Sequence, residues 1–580
     1  MIQHKIELHD PRAHLFRITL TIPKPLPNQA FCMAVWIPGS YLVREFSKQV
    51  QELTAKQGGK SLTIAQLSKN TWSLANTSTK PITVTYLVYA FDASVRTAFL
   101  DSTRGFFNGT SMFMRIAGQE NHPQQVVIEP PVRTELVEGS WRVATALLAL
   151  KTNKAGWGTY LASGYDELAD SPFELGEFWE GKFTVRGIPH RFVVSGAAAT
   201  FDGKRLLADT QKIVEAELAF WHGSFHKGYV FMLRAMDNGY GGLEHMNSTA
   251  LIAKRSDLPR MGDDTTPEGY VTLLGLISHE YFHTWNVKRL RPAGLVPYDY
   301  DRENHTELLW FFEGFTSYYD DLLLRRAGLI NDERYLGLLA KTINQVQQTP
   351  GRLVHSLASS SYEAWTKYYR MDENSVNSTV SYYTKGSLVA LCLDLMLHER
   401  GSNLDTVMQR LWQKHAASQP NGICAIDEAA LVEAISDKVS RAALLQWVHT
   451  TDELPLTKLL ASVGVETVAV KAGLAQQLGL RVSTDGGIKI KQVLSGTLAA
   501  KAGFAAGDEW VAVEAKDQTW RISSLDEVLL YAPSGKPITA WIARDKQVLK
   551  LALALPKNQM LNADVRLKIT DAKKLASWLE

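Results

Sequence analysis

Residues 270–291 read Tyr270-VTLLGLISHEYFHTWNVKRL-Arg291, and inside this apolar run stands His279-Glu280-Tyr281-Phe282-His283. The apolar positions recur at helical spacing, so the run reads as a buried amphipathic helix. Residues four apart share a helix face, which lets both imidazoles reach one ion with Glu280 beside them. Two neutral imidazoles, one carboxylate and a water complete a catalytic tetrahedral zinc site. The missing carboxylate is sought downstream. Glu313 lies in LLWFFEGFTSYYDD, a strongly apolar helical stretch. An unpaired charge buried there would cost about 3–5 kcal/mol. Glu313 therefore reads as the third metal ligand, and the alternative is a side chain turned to solvent beside a wide loop.

The text around this centre changes period twice. Up to about residue 190, short β-branched and aromatic runs such as HLFRITLTIP and KPITVTYLVYAF are punctuated by Pro, Gly and Asn. They predict a β-sandwich-like module. From there to about 464 helices dominate, with KRLLADTQKIVEAELAFWHG and KGSLVALCLDLMLHERG at i, i+3, i+4 spacing. Strand text returns near 465. The expected organisation is multidomain α+β: residues 1–190 β-rich, 191–464 a mainly helical catalytic domain, 465–556 a small independent domain and 557–580 a tail.

Composition limits the function classes. The 580 residues are 45% hydrophobic, with 62 basic against 60 acidic groups and a net charge of +2. That balance gives no electrostatic case for nucleic acid or an anionic membrane as partner. Three cysteines are too few for a disulfide scaffold and too dispersed for a metal ribbon. The N-terminal stretch MIQHKIELHDPRAHLFRITL has charges throughout and no apolar core of a signal peptide, so the expected compartment is the cytoplasm.

Two weaker pieces suit the same chemistry. In Gly241-Gly242-Leu243-Glu244-His245 a bare backbone edge lets a substrate chain approach, and Glu244 offers a carboxylate to a cation. Tyr383, before Thr384-Lys385-Gly386, begins a helix where a phenol donates to a developing oxyanion. Either alone is as readily an ordinary turn or helix start.

Together HEYFHTWNVKRLRP, LLWFFEGFTSYY, GGLEH and WIPGSYLVREF (Trp36 to Phe46) resemble the glycyl aminopeptidase family. These are gluzincin metallopeptidases with a thermolysin-like catalytic domain and a C-terminal PDZ domain. The resemblance implies one Zn2+ per chain held by His279, His283 and Glu313, with Glu280 as general base. It implies that Glu244, with Gly241 and Gly242, holds the free α-amine of a peptide substrate, and that Tyr383 stabilises the tetrahedral intermediate. It also implies a small first residue, Gly or Ala. The interval between His283 and Glu313 is longer than in the larger alanyl aminopeptidases. It contains Lys288, Arg289, Arg291 and His305, which read either as pocket lining or as a solvated basic loop.

Leu478-Gly479-Leu480 and the following SGTLAAKAGFAAGDEWVAVEA resemble a PDZ domain, whose Φ-Gly-Φ loop would present backbone N–H groups to a peptide C-terminus. Pro38-Gly39-Ser40-Tyr41 and Arg44 read as a tight structural turn, with an active-site wall as the other possibility. Two further functions stay open: a zinc endopeptidase indifferent to the amine, and a PDZ peptide-binding scaffold carrying an inert peptidase fold.

Overall fold

The computed structural model describes residues 1–223, 226–416, 422–558 and 560–580. They form two compact units. The first comprises Met1–His305 with Ala327–Leu329 and Trp412–Ile426, and the second the remainder.

In the first unit, the strand Ile2–Asp10 alternates buried and half-buried residues, as does Leu15–Ile22. This period of two turns one face of each strand inward. They are neighbours in an eight-stranded sheet, ordered Leu148–Thr152, Gly158–Ala162, Gln124–Ile128, Ile2–Asp10, Leu15–Ile22, Ile82–Tyr89, Val50–Gln57 and Lys60–Ser61. Two four-stranded sheets complete a β-rich module around one core, in which Phe16, Ile18 and Leu20 join Tyr86, Phe107, Phe113 and Leu175. The same core takes in Leu243 and Ala250, so it continues into the next layer of the unit.

That layer is a five-stranded mixed sheet, ordered Trp179–Val185, Ile188–Ser195, Tyr229–Met236, Ser248–Lys254 and Gly241–Glu244. The hairpin Trp179–Ser195, which the expected boundary at 190 would cut, belongs to it whole. Its β-branched text is indistinguishable from that of the module before it. Among the described residues Gly241–Glu244 pairs with Ser248–Lys254 alone, antiparallel, and stands at the edge of the sheet. The helices Gly203–Phe220 and Glu268–Phe282 pack together in this unit, and Ser278 Oγ donates to Glu217 Oε1 at 3.2 Å.

The second unit is helical around Thr384–His398, which is buried on nearly every side. A helix apolar all round needs such a central place. Residues from Leu480 to Ala554 form a separate six-stranded sheet with two short helices and its own core of Leu480, Ile490, Trp510, Val513, Ile542 and Leu553. The stretch 557–580 is more than a tail. Asp564–Ile569 pairs antiparallel with Val465–Val470, and the helix Ala572–Leu579 brings Trp578 Nε1 to Asp394 Oδ2 at 2.9 Å. The ordering comes from partners about a hundred or more residues away, which local text does not reveal. Among the described residues no helix is long and apolar enough to cross a membrane.

Burial leaves imidazoles of the first unit reluctant to charge, His4 and His190 among them. Desolvation lowers His4 and His190 from 6.5 to about 4, opposed by the hydrogen bonds the two rings donate, to Gln124 Oε1 and to the Ile188 carbonyl respectively. The unfolded chain takes up these protons below about pH 6.5 while the folded chain refuses them until about pH 4. Stability is therefore full above pH 6.5 and falls as the pH drops towards 4. Denaturant midpoints should be lower at pH 5 than at pH 7.5, and an equal or higher midpoint at pH 5 contradicts this linkage.

Candidate active site

The helix Glu268–Phe282 delivers His279 in its last turn and His283 as its C-cap. The two rings stand perpendicular with centroids 4.6 Å apart. His283 Nδ1 lies 2.8 Å from the Asn286 carbonyl, so it carries the proton and Nε2 keeps its lone pair for a metal. One ligand atom from each of His279, His283 and Glu313 lies within 4.8 Å of the others. Two imidazoles and a carboxylate at this spacing are a donor set that fits Zn2+.

Neighbouring residues hold the helix. Tyr281 turns away from the ligands, and its hydroxyl meets His190 Nε2 at 2.9 Å and His226 Nε2 at 3.1 Å. After His283 the chain turns sharply, with Val287 at φ 145° and the Lys288 amide bonded back to the His283 carbonyl at 3.0 Å. A β-branched residue in that region stores about 1–3 kcal/mol of strain, tolerated here because the surrounding turn fixes it.

Glu313 is 2% exposed and lies in a π-helical turn, Trp310–Gly314, that runs into the helix Phe315–Arg326. Such turns are concentrated at functional sites. A methyl group on Gly314 would fall 2.6 Å from the Gly386 backbone, so this turn and the start of Thr384–His398 touch main chain to main chain. Tyr383 is the N-cap of that second helix, stacked on Tyr368 at 5.6 Å. Burial, and next the charge of Glu313, push its phenol well above the usual value of 10. The phenol keeps its proton.

The other two carboxylates meet at the sheet edge, Glu244 from the edge strand and Glu280 from the helix Glu268–Phe282. A methyl on Gly242 would lie 1.9 Å from Glu280 Oε1, so Glu280 rests directly against the strand backbone. Glu244 is 5% exposed, and a methyl on Gly39 would lie 2.6 Å from both of its carboxylate oxygens. Gly39 has φ 88°, which glycine adopts without penalty. The turn at Pro38–Tyr41 is therefore structural, with Arg44 Nη2 on Ser40 Oγ at 2.6 Å, and is at the same time the seat of Glu244.

Family models for the Peptidase M61 N-terminal domain and for M61 glycyl aminopeptidase match residues 3–177 and 272–389. A crystal structure of an aminopeptidase N family protein from Idiomarina loihiensis is 35% identical, covers 100% of both chains and has a TM-score of 0.93. The chain belongs to the M61 glycyl aminopeptidase family. It is thus a metallo-aminopeptidase by descent. Crystal structures of an M1 zinc metallopeptidase from Deinococcus radiodurans, one of them a mutant bound to a Tyr-Ser-Ala substrate, match at 12–13% identity. Each covers 78% of this chain and 94% of its own, with a TM-score of 0.49. No curated protein matches the chain.

The peptidase corrects two expectations. The basic residues after His283 are not a solvated loop: Lys288, Arg289 and Arg291 are buried, while His305 is exposed. Lys288 Nζ meets Asp170 Oδ1 at 2.7 Å, and Arg289 Nη1 donates to the Thr284 carbonyl at 2.7 Å. The second concerns Leu478-Gly479-Leu480. Both leucines are in the small domain's core, the Gly479 N–H is donated to the Gln476 carbonyl at 3.0 Å, and its carbonyl accepts from Leu494 at 2.8 Å. Gly479 is a left-handed helix cap packed on Thr497, so this turn has no Gly479 N–H to offer a carboxylate.

Asp170 has no signal in the sequence, where it stands in the unremarkable DELADSP. Its carboxylate gathers Lys288, His245 Nδ1 at 3.2 Å and the Met246 amide at 2.7 Å, and so ties down the chain that follows Glu244. Burial opposes its charge, yet Lys288 and His245 together hold its carboxyl far below the usual range. Asp170→Asn leaves the Lys288 ammonium, 1% exposed, without its ion-pair partner. The expected loss is about 3–5 kcal/mol in denaturant unfolding, and an unchanged midpoint would contradict this role.

Proposed function

We propose that the chain is a zinc aminopeptidase, with one Zn2+ per chain, that removes a single small residue, glycine or alanine, from peptides with a free N-terminus. The observation that carries the reading is the pair of carboxylates on one sheet edge: Glu280 against Gly242 and, two residues on, Glu244 against Gly39. A strand's side chains alternate, so Gly242 and Glu244 project to the same face, about 7 Å apart along the edge. One carboxylate serves the scissile bond and the other the α-ammonium, which limits the cut to one residue. The small first residue rests on the family's description as glycyl aminopeptidases.

In this reading His279, His283 and Glu313 hold the zinc, which when bound polarises the scissile carbonyl and makes its water acidic enough to ionise near neutral pH. Glu280 takes the water's proton and delivers it to the leaving amine. Glu244, with the bare backbone of Gly241 and Gly242, orients the peptide. Tyr383, protonated, donates to the developing oxyanion, a contribution of about 3–4 kcal/mol for a comparable donor. The domains expected at 1–190, 191–464 and 465–556 belong to the same reading, with the first boundary moved ahead of Trp179 so that the hairpin Trp179–Ser195 stays whole, and the last is PDZ-like in its small sheet.

Time-resolved mass spectrometry of a Gly-Ala-rich peptide with the zinc-loaded protein tests the proposal. Stepwise loss from the N-terminus is expected, and internal cuts from the first time point would refute it. Glu280→Gln should keep its zinc and lose about 10²–10⁴-fold in turnover, while Glu313→Ala should lose zinc on dialysis. Full turnover in the first, or full zinc content in the second, removes the assigned role.

A further inference from the structure

Arg96 belongs to the β-rich module, in the segment between the strands Ile82–Tyr89 and Ala98–Leu100. Its guanidinium reaches the start of the catalytic sheet edge, where a methyl on Gly241 would lie 3.7 Å from Nη1 and 3.9 Å from Nη2. The segment is firmly held. Asn108, fully buried, donates through Nδ2 to the Val95 carbonyl at 2.8 Å, and Thr97 Oγ1 donates to the Asp92 carbonyl at 3.2 Å. Yet the charge it presents is unanswered. Arg96 Nε is buried without a hydrogen-bond partner, and among the described residues no carboxylate pairs with this guanidinium. A permanently charged, half-buried fork in that state is matched to an anion with two oxygens in a plane.

Its position along the edge identifies which anion. A peptide anchored by its amine at Glu244 and running antiparallel along the strand passes Leu243 and Gly242 before reaching Gly241. Three residue steps are about 10 Å, the reach of an extended tripeptide from amine to terminal carboxylate. Gly241 and Leu243 project to the face opposite Glu280 and Glu244, so Arg96 meets the far end of the peptide without crowding the reacting bond.

We propose that Arg96 binds a carboxylate at the third residue of the substrate, so that the preferred substrates are short peptides ending there. This rests on the aminopeptidase reading and adds the substrate class to it. The α-carboxylate of a tripeptide and an acidic side chain at the third position present the same chemistry, and the test separates them.

The experiment measures kcat/KM of the zinc-loaded protein on Gly-Ala-Ala free acid, Gly-Ala-Ala amide and Gly-Ala-Asp amide. The free acid should exceed the Ala amide about 10- to 100-fold, the size of one hydrogen-bonded charge pair. The ratio should fall to about one in Arg96→Met and be partly restored in Arg96→Lys. Recovery by the Asp amide in the wild type, lost in Arg96→Met, would make acidic side chains a second source of the same carboxylate. Equal rates on the acid and both amides in the wild type overturn the proposal, even if no Arg96 variant folds. A full ratio retained in a folded Arg96→Met overturns it as well. N-terminal trimming with a flat ratio removes only Arg96, whereas internal cleavage removes the aminopeptidase reading and this proposal together.

Discussion

Two carboxylates of this peptidase occupy places where a Cβ atom would otherwise stand. Glu280 lies against Gly242 and Glu244 against Gly39, each at a distance that admits no side chain on the partner. Moving either glycine to alanine would displace a carboxylate, and a functional site tolerates displacements of only about 0.5 Å. The rest of the first unit serves this constraint. The five-stranded sheet sets the edge, the helix Glu268–Phe282 brings Glu280 to it, and the β-rich module closes the other side with Gly39.

The β-rich module is therefore part of the packing around Glu244 and not an appendage. Its core runs into the sheet through Leu243 and Ala250, and its Asp170 binds the chain immediately after Glu244. The long interval after His283 has the same logic. Lys288, Arg289 and Arg291 are turned inward, the Asp299 carbonyl takes the Trp36 indole N–H at 2.7 Å, and the Tyr300 carbonyl takes the Val35 amide at 2.8 Å. A segment that looks like a charged surface loop in composition is a partly buried strap, whose Asp299 and Tyr300 fasten the β-rich module to the chain that follows the helix Glu268–Phe282.

How much of this was legible in the sequence follows from the range of each interaction. His279, Glu280 and His283 were legible because a helix converts a spacing of four into one face. Glu313 was legible from the misfit between a carboxylate and its apolar surroundings. Asp170 and Arg96 were not, because their meaning arises only against Lys288 and Gly241, more than a hundred residues away. Gly39 was half legible: PGS marks a turn, but only the fold places Glu244 on it. The Leu478-Gly479-Leu480 motif was ambiguous for the opposite reason, since the same three letters that make a carboxylate-binding loop also make a helix cap over Thr497.

The central claim is that Glu244 reads a charged amine. Its most direct test is the ratio of kcat/KM on a Gly-Ala peptide and on its N-acetyl derivative, which removes the positive charge and leaves the scissile bond intact. The account predicts turnover of the free peptide alone, with the acetylated one inert even at concentrations that saturate the other. Comparable turnover of both would contradict it, and would leave the carboxylate on Gly39 without a part in choosing the bond that is cut.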